Sequence, residues 1–313
     1  MAYDPKKEYD YADVPELVGY LKRSAIDAYM MSENSGITSH CTIMDDRYVV
    51  SFPIPLVGSS DRDIARPGID GQGGGEALDS GSGGSGADCT SEFDKIRWSI
   101  DKIVEPWKQL PDPKNVDNEI EKWITAVSPL AKDPQTVGNK STGGGTIFTN
   151  LDQAGKALRN MSGEVIHKVE AFVAKLASVT GGLHDKTMVL GGALNSEMKM
   201  FEETRASVVK ALQQGIKVLD AVALSEREGF KMVLEIVSAT IDAALIFTAP
   251  EVVIERKLLQ TSSRALQTLK SSQDAMVDDE KVDSYDSAIS QLESAFEAIN
   301  KSVVKAEKGW KVC

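Results

Sequence analysis

Apolar residues recur at intervals of three and four over a long part of the chain that starts near Asn150. This spacing places them on one face of an α-helix, because 3.6 residues complete a turn. The first stretch carries Leu151, Ala154, Leu158, Met161, Val165, Val169, Phe172, Leu176 and Val179. The second carries Leu190, Leu194, Phe201, Val208, Leu212, Ile216, Leu219 and Val222. The sequence "GGLHDK" separates them, and glycine commonly ends a helix, so the spacing predicts a long antiparallel hairpin over residues 150–224.

Three further helices are predicted by the same periodicity. One covers the sequence "FDKIRWSIDKIVEPWKQL" and is capped by Thr90 or Ser91. The sequence "LPDPKNV" ends it, and the next helix begins at Asn115 within that sequence. The last carries apolar positions from Val282 to Val303. Together with the hairpin, these helices predict a mainly α fold, an up-and-down bundle of long helices.

The first 60 residues predict a small α/β segment. Residues 13–33 have helical spacing, and the sequence "CTIMDDRYVVSFPIPLV" places two β-favouring runs on either side of an aspartate pair, which predicts a short β-hairpin. Residues 67–86 hold nine glycines and few apolar side chains, which predicts a flexible linker. The predicted domains are therefore the N-terminal segment (1–60), the Gly-rich linker (61–89) and the helical bundle (90–313).

The most apolar part of the chain is "GFKMVLEIVSATIDAALIFTAPEVVIERKLL", in which residues 232–249 are long enough to cross a bilayer. Glu235 and Asp242 lie inside this stretch, seven residues apart and therefore on one helix face. Each carboxylate would cost roughly 2.5–3.5 kcal/mol at the centre of a bilayer, so we expect a buried bundle helix and no membrane span. The alternative is a segment that inserts at a membrane surface, with Glu235 and Asp242 as a pH-sensitive pair.

The formal net charge is −12, from 35 Lys and Arg against 47 Asp and Glu. Nucleic acid and anionic lipid repel such a chain, and no dense Lys/Arg cluster offsets this, so we expect no nucleic-acid partner. Cys41, Cys89 and Cys313 are far apart and fit neither a disulfide framework nor a metal-ligand spacing. His40 beside Cys41 has no second ligand pair, so we expect neither a metal nor another cofactor.

The other histidines do not form a recognisable catalytic site. His167 lies beside the apolar stripe of the first long helix, and His184 stands next to Asp185 in the predicted turn. Adjacent residues rarely point at one another, and no Gly-X-Ser-X-Gly, His-Glu-X-X-His or paired-carboxylate site accompanies them. The sequence "STGGGT" lacks the strand and the Gly-Lys-Ser/Thr of a P-loop. We therefore expect that the protein is not an enzyme.

Three tryptophans, Trp98, Trp107 and Trp123, fall near the start of the helical region. Tryptophan is enriched among the interface residues that contribute most to binding, so these three are candidates for a partner interface. Packing in the bundle core is the alternative interpretation. Trp98 and Trp107 are nine residues apart and need not share a helix face.

The sequence "FDKIRWSIDKIVEPWKQLPDP", a Gly-rich loop and the long hairpin together resemble helical proteins of actinobacterial type VII (ESX) secretion systems, which are related to the WXG-type helical hairpins. The resemblance covers roughly residues 90–224 and is one of pattern. Two features depart from it. The turn has no Trp-X-Gly, and the export signal Tyr-X-X-X-Asp/Glu is missing after the hairpin, where Tyr285 is followed four residues later by Ile289.

The resemblance implies a protein that is cytoplasmic before export and is secreted by a signal-peptide-independent route, and the N-terminus has no apolar signal region. The leading hypothesis is a non-enzymatic helical interaction protein, either a type VII substrate or a partner of WXG-type hairpins. Its partner would be such a hairpin protein or a second copy of this chain. Two alternatives stay open: the soluble form of an α-helical pore-forming protein, and a phage or other assembly subunit whose Gly-rich segment orders between neighbouring chains.

Overall fold

The computed structural model describes residues 3–33, 40–54, 58–78, 89–131, 136–137, 140–141, 145–224 and 284–311. These residues are mainly helical, with one very long helix and a small N-terminal sheet, which confirms the predicted fold class. They fall into two compact units. The first takes the described residues up to Leu110 together with 204–224 and 284–304, and the second takes those from Pro111 to Glu203 and 305–311.

The regular elements follow one another as α1 (Val14–Glu33), β1 (His40–Ile43), β2 (Arg47–Ile54), β3 (Gly58–Ala65), α2 (Thr90–Val104), α3 (Pro113–Val127), β4 (Thr136–Val137), β5 (Lys140–Ser141), α4 (Thr146–Leu158), α5 (Glu164–Ala223) and α6 (Tyr285–Lys311). A single 3-10 turn precedes α1, and others follow α2 and α3. Helix α5 contributes to both units, since its residues up to Glu203 belong to the second unit and the rest to the first.

The N-terminal sheet is antiparallel in the order β1-β2-β3. Asp45 and Asp46 lie in the turn between β1 and β2, so the predicted hairpin is confirmed. The third strand was not predicted, because its sequence "GSSDRDIA" is mostly polar and was assigned to the linker from residue 61 onward. Tyr48 and Val50 of β2 and Ile64 of β3 are buried, and they join the sheet to the core of the first unit.

The Gly-rich segment is not a free linker in its described part, which corrects the prediction for residues 67–78. Arg97 of α2 is buried, and its guanidinium donates hydrogen bonds to the carbonyl oxygens of Gly71 (2.7 Å) and Gly73. Gly71 has a φ of 71° and lies so close to Lys22 of α1 that an added Cβ would clash with it. The glycines therefore permit close packing on α1 and α2. Residues 79–88 lie outside the described residues.

The core of the first unit is formed by α1, α2, the C-terminal part of α5 and α6. The apolar stripe predicted on α2 is buried as expected, and the ring of Phe93 packs edge-on against Tyr48 with 6.0 Å between the ring centroids. The stripe on α6 is also buried, with Leu292 against Gly215 of α5. The buried α5 residues that complete this core are Val208, Val209, Ala211, Leu212, Ile216, Val218, Leu219 and Ala223.

The second unit contains α3, the short β4-β5 hairpin, α4 and the N-terminal part of α5. Helix α3 begins at Pro113, two residues before the predicted Asn115, because the Asp112 carboxylate caps it by accepting a hydrogen bond from the Lys114 amide (3.1 Å). Its apolar face packs against Met188 of α5 in a small cluster that also contains Ile120 and Val127.

The predicted hairpin over residues 150–224 is wrong. Residues 164–223 form one continuous helix of 60 residues, and the interruption falls instead at residues 159–163, between α4 and α5. Gly181 and Gly182 lie inside α5, and neither has the positive φ of a glycine that ends a helix. A glycine within a helix costs only about 1 kcal/mol relative to alanine, which the packing of neighbouring residues can offset.

The apolar stretch that contains Glu235 and Asp242 lies outside the described residues, and so does Cys313. Among the helices that the structure describes, none has the length and apolar character needed to cross a membrane.

Candidate partner-binding surface

The three tryptophans do not form one surface. Trp107 is buried and packs against Phe296 of α6, with 6.1 Å between the ring centroids, so it is a core residue. Trp123 is half-buried, and its ring lies directly against the backbone of Gly191 in α5. Trp98 of α2 is 66% exposed, and the ammonium group of Lys102 lies 5.3 Å from its ring centroid. Of the three, Trp98 therefore offers the largest surface that a partner could contact.

A larger apolar surface lies on the N-terminal part of α5. Val165 is 73% exposed and Phe172 is 64% exposed, and the neighbouring apolar positions of the same face are exposed as well. We call this face the α5 stripe, and define it by Val165, Val169, Phe172, Leu176, Val179, Leu183 and Leu190. All of them except Leu183, which fell in the predicted turn, were expected in a bundle core, so the structure corrects that expectation for Val165 to Val179 and for Leu190.

The spacing of the α5 stripe is that of a coiled-coil seam. Its intervals alternate between four and three residues from Val165 to Leu183. Lys186 takes the next place in this alternation, and Leu190 takes the place after it. A seam with an average repeat of 3.5 residues stays on one side of a slightly supercoiled helix, which is the arrangement by which two helices pair.

The charged residues beside the stripe are asymmetric. Lys168 and Lys175 each stand one place before a stripe residue, Val169 and Leu176, and so fall on one edge of the stripe, whereas Lys186 stands within the row. Lys168 forms an ion pair with Glu164 at 2.9 Å, but both side chains are highly exposed, so the pair is weak. Neither Lys175 nor Lys186 has an ion-pair partner among the residues that the structure describes. One edge of the stripe is thus cationic in a chain whose net charge is −12.

The adjacent face of the same helix is buried within the second unit. Thr180, His184 and Met188 are all less than a tenth exposed, and Gly191 lies against Trp123. This face is about 100° around the helix from the stripe, on the side away from the lysines. Helix α5 is therefore packed against the second unit from Thr180 onward, beside the C-terminal end of the stripe.

His167 and His184 lie in different environments, one exposed and one buried, and do not form a catalytic pair. His167 lies on the surface, with its Nδ1 atom 3.9 Å from Glu170, whereas His184 is 3% exposed. The Nδ1 atom of His184 lies 3.6 Å from the Asp185 carboxylate. Its Nε2 atom is buried and has no hydrogen-bond partner among the described residues. Among the residues that the structure describes, no group of three or more His, Cys, Asp or Glu residues is placed to hold a metal ion.

The stripe was visible in the sequence, but its exposure was not. Periodicity predicts which residues share a helix face and says nothing about what covers that face. The alternation of fours and threes and the lysines along one edge were the available signals of a seam. The fold and the stripe together define a helical protein with a small sheet and an exposed apolar seam on α5. No protein-family model matches this chain, and neither does a curated protein or a solved structure.

Proposed function

We propose that this protein acts by binding another protein through the α5 stripe, and not by catalysis. The observation that carries the proposal is the exposure of seven apolar side chains in one row. Soluble proteins rarely leave a large contiguous apolar surface in water, and such surfaces commonly mark interaction sites. A partner that covers the row gains roughly 25 cal/mol for each Å² of apolar surface that it removes from water.

We further propose that the partner belongs to a type VII secretion system, with this protein as a substrate or as a binding partner of WXG-type hairpins. The support is the resemblance of residues 90–224 to helical proteins of those systems. The continuous helix α5 in place of the expected hairpin weakens the analogy with the WXG hairpins themselves. It leaves the longer helical proteins of these systems as the better comparison.

Membrane activity is a competing proposal that rests on residues 232–249 alone. Release of an entrapped dye from liposomes at pH 5, reduced by the variant Glu235→Gln/Asp242→Asn, would favour it over protein binding. The assembly-subunit alternative required a Gly-rich segment that is ordered by a neighbouring chain. In the structure, Arg97 of the same chain holds Gly71 and Gly73, so the described part of that segment needs no neighbour.

Export from an actinobacterium tests the proposal. A tagged chain is expressed in a strain with a working type VII system and in a sibling without its ATPase, and the culture supernatants are compared. We expect ATPase-dependent export of the wild type. We expect its loss in Phe172→Asp/Val179→Asp, because two carboxylates in the seam oppose burial by a partner helix.

The matched control for this experiment is Ile147→Asp, which places a carboxylate at an exposed apolar position of α4, outside the stripe. We expect this variant to be exported like the wild type. Retention of the wild type in both strains would contradict the role as a substrate. Normal export of the stripe variant would show that the stripe does not serve this route.

A further inference from the structure

We propose that the α5 stripe pairs with a partner α-helix that carries its own heptad seam of apolar residues and acidic side chains along one edge. The inference rests on the proposed function and names the chemistry of the partner. The occupant is thus a helix of a different protein, held in a left-handed two-helix coiled coil.

The spacing of the stripe indicates that the occupant is a helix. The repeat from Val165 to Leu190 keeps an apolar seam only along a helix that supercoils with another helix. In such a pair each seam residue inserts between four residues of the facing helix. A lipid surface would not require this register, and a β-strand repeats every two residues and would not match it.

The lysine edge indicates the charge of the occupant. In a two-helix coiled coil, residues beside the seam form ion pairs between the helices and select the partner. Lys168 and Lys175 occupy such positions. An acidic edge on the partner helix would therefore face these two ammonium groups, whereas a basic edge would be repelled by them.

A second copy of this chain is a poor occupant for the same reason. Parallel pairing of two copies would place Lys186 against Lys186 within the seam, and antiparallel pairing would set the two lysine edges side by side. Each arrangement brings like charges together, and the two chains also repel each other through their net charge of −12.

Binding of two designed helical peptides to the full-length protein tests the proposal. Both peptides have about four heptads with leucine in the seam, and they differ only in carrying glutamate or lysine beside it. We expect the acidic peptide to bind about tenfold more tightly than the basic one, which is the effect that a few exposed ion pairs can supply. Equal binding of the two peptides would overturn the proposal.

Charge reversal on the protein provides the decisive comparison. In Lys168→Glu/Lys175→Glu we expect the preference to reverse in favour of the basic peptide. The control Lys95→Glu/Lys122→Glu makes the same change of net charge at two exposed lysines of α2 and α3, and should keep the preference of the wild type. If the control loses its preference for the acidic peptide as fully as Lys168→Glu/Lys175→Glu does, the assignment of the lysine edge is overturned.

If something other than a partner helix covers the stripe, the variant Phe172→Asp and the two peptides distinguish the cases. If a second copy covers the stripe, sedimentation will show self-association of the wild type that this variant lacks. If another part of the same chain covers it, neither peptide will bind and the variant will melt several degrees lower. If lipid covers it, uncharged vesicles will bind the wild type and neither peptide will bind. Each of these results overturns the proposal, while loss of export in the stripe variant would still uphold the proposed function.

Discussion

A few buried polar side chains connect elements of the first unit, and no sequence motif predicts these contacts. Asp27 of α1 is 5% exposed, and its carboxylate accepts hydrogen bonds from the Tyr48 hydroxyl (2.7 Å) and the Arg66 guanidinium (2.9 Å from Nε). Burial and the Asp27 carboxylate raise the pKa of Tyr48 well above its usual range, so this hydroxyl stays a donor. The three residues thereby join α1, β2 and the residue that follows β3.

Asp220 of α5 is a half-buried carboxyl in a less favourable position. Burial raises its pKa above the usual range, and the hydrogen bond from Ser24 and the nearby guanidinium groups of Arg66 and Arg23 offset this only in part. A carboxyl whose pKa is higher in the folded state holds its proton more tightly when folded. Its contribution to stability is therefore complete below the unfolded pKa and is lost as the pH rises through the folded pKa.

We therefore predict that Asp220→Asn stabilises the protein at pH 7 and that the gain disappears as the pH falls toward 4. The amide removes the buried charge and keeps an oxygen that can accept the hydrogen bond from Ser24. Urea unfolding of the variant and the wild type across this range measures the difference in free energy. Glu297→Gln, on the exposed surface of α6, controls for net charge. A variant that is less stable than the wild type at pH 7 would contradict the assignment.

Within α5, two glycines show how one residue type serves different purposes. An alanine Cβ at Gly191 would overlap the ring of Trp123, so this glycine permits α3 to pack closely on α5. At Gly182 the same Cβ would meet no atom within 4 Å. The sequence offers no way to tell these two positions apart, because both stand in Gly-Gly pairs within similar surroundings.

We predict opposite effects of the same substitution at these two sites. Gly182→Ala should stabilise the protein by about 0.5–1 kcal/mol, because alanine favours the helix and meets no neighbour. Gly191→Ala should destabilise it by about 1–3 kcal/mol, because the ring of Trp123 must move. Urea unfolding followed by circular dichroism measures both. Destabilisation by Gly182→Ala would indicate that residues 181–182 form the turn expected from the sequence and not a continuous helix.

Periodicity predicted most helices correctly but not their connections. The stripes of α2 and α6 identify buried faces correctly, since both helices pack into a common core. The stripe of α5 was assigned to a core by the same reasoning, yet its residues up to Leu190 are exposed. Whether an apolar helix face is buried depends on which other elements lie against it. The sequence of one helix does not show which elements those are. Strand β3 was missed because five of its eight residues are Ser, Asp or Arg.

For the chain as a whole, the proposed role depends on two properties acting together. Helix α5 is held by packing from Thr180 onward, and the stripe provides an apolar seam with a cationic edge. The three tryptophans predicted as an interface contribute little to this account, because Trp107 and Trp123 serve packing. The proposed function therefore rests on a surface that was predicted as a core.

Hydroxyl-radical footprinting of the isolated protein measures directly whether water reaches the α5 stripe. Phenylalanine side chains are oxidised in proportion to their contact with water, so Phe172 of the stripe can be compared with Phe93 and Phe296 of the core. We predict that Phe172, 64% exposed, is oxidised at a rate close to that of the urea-unfolded chain, while Phe93 (0%) and Phe296 (3%) are protected. Protection of Phe172 to the same degree as Phe93 would contradict the account, because it would show that the stripe is already covered.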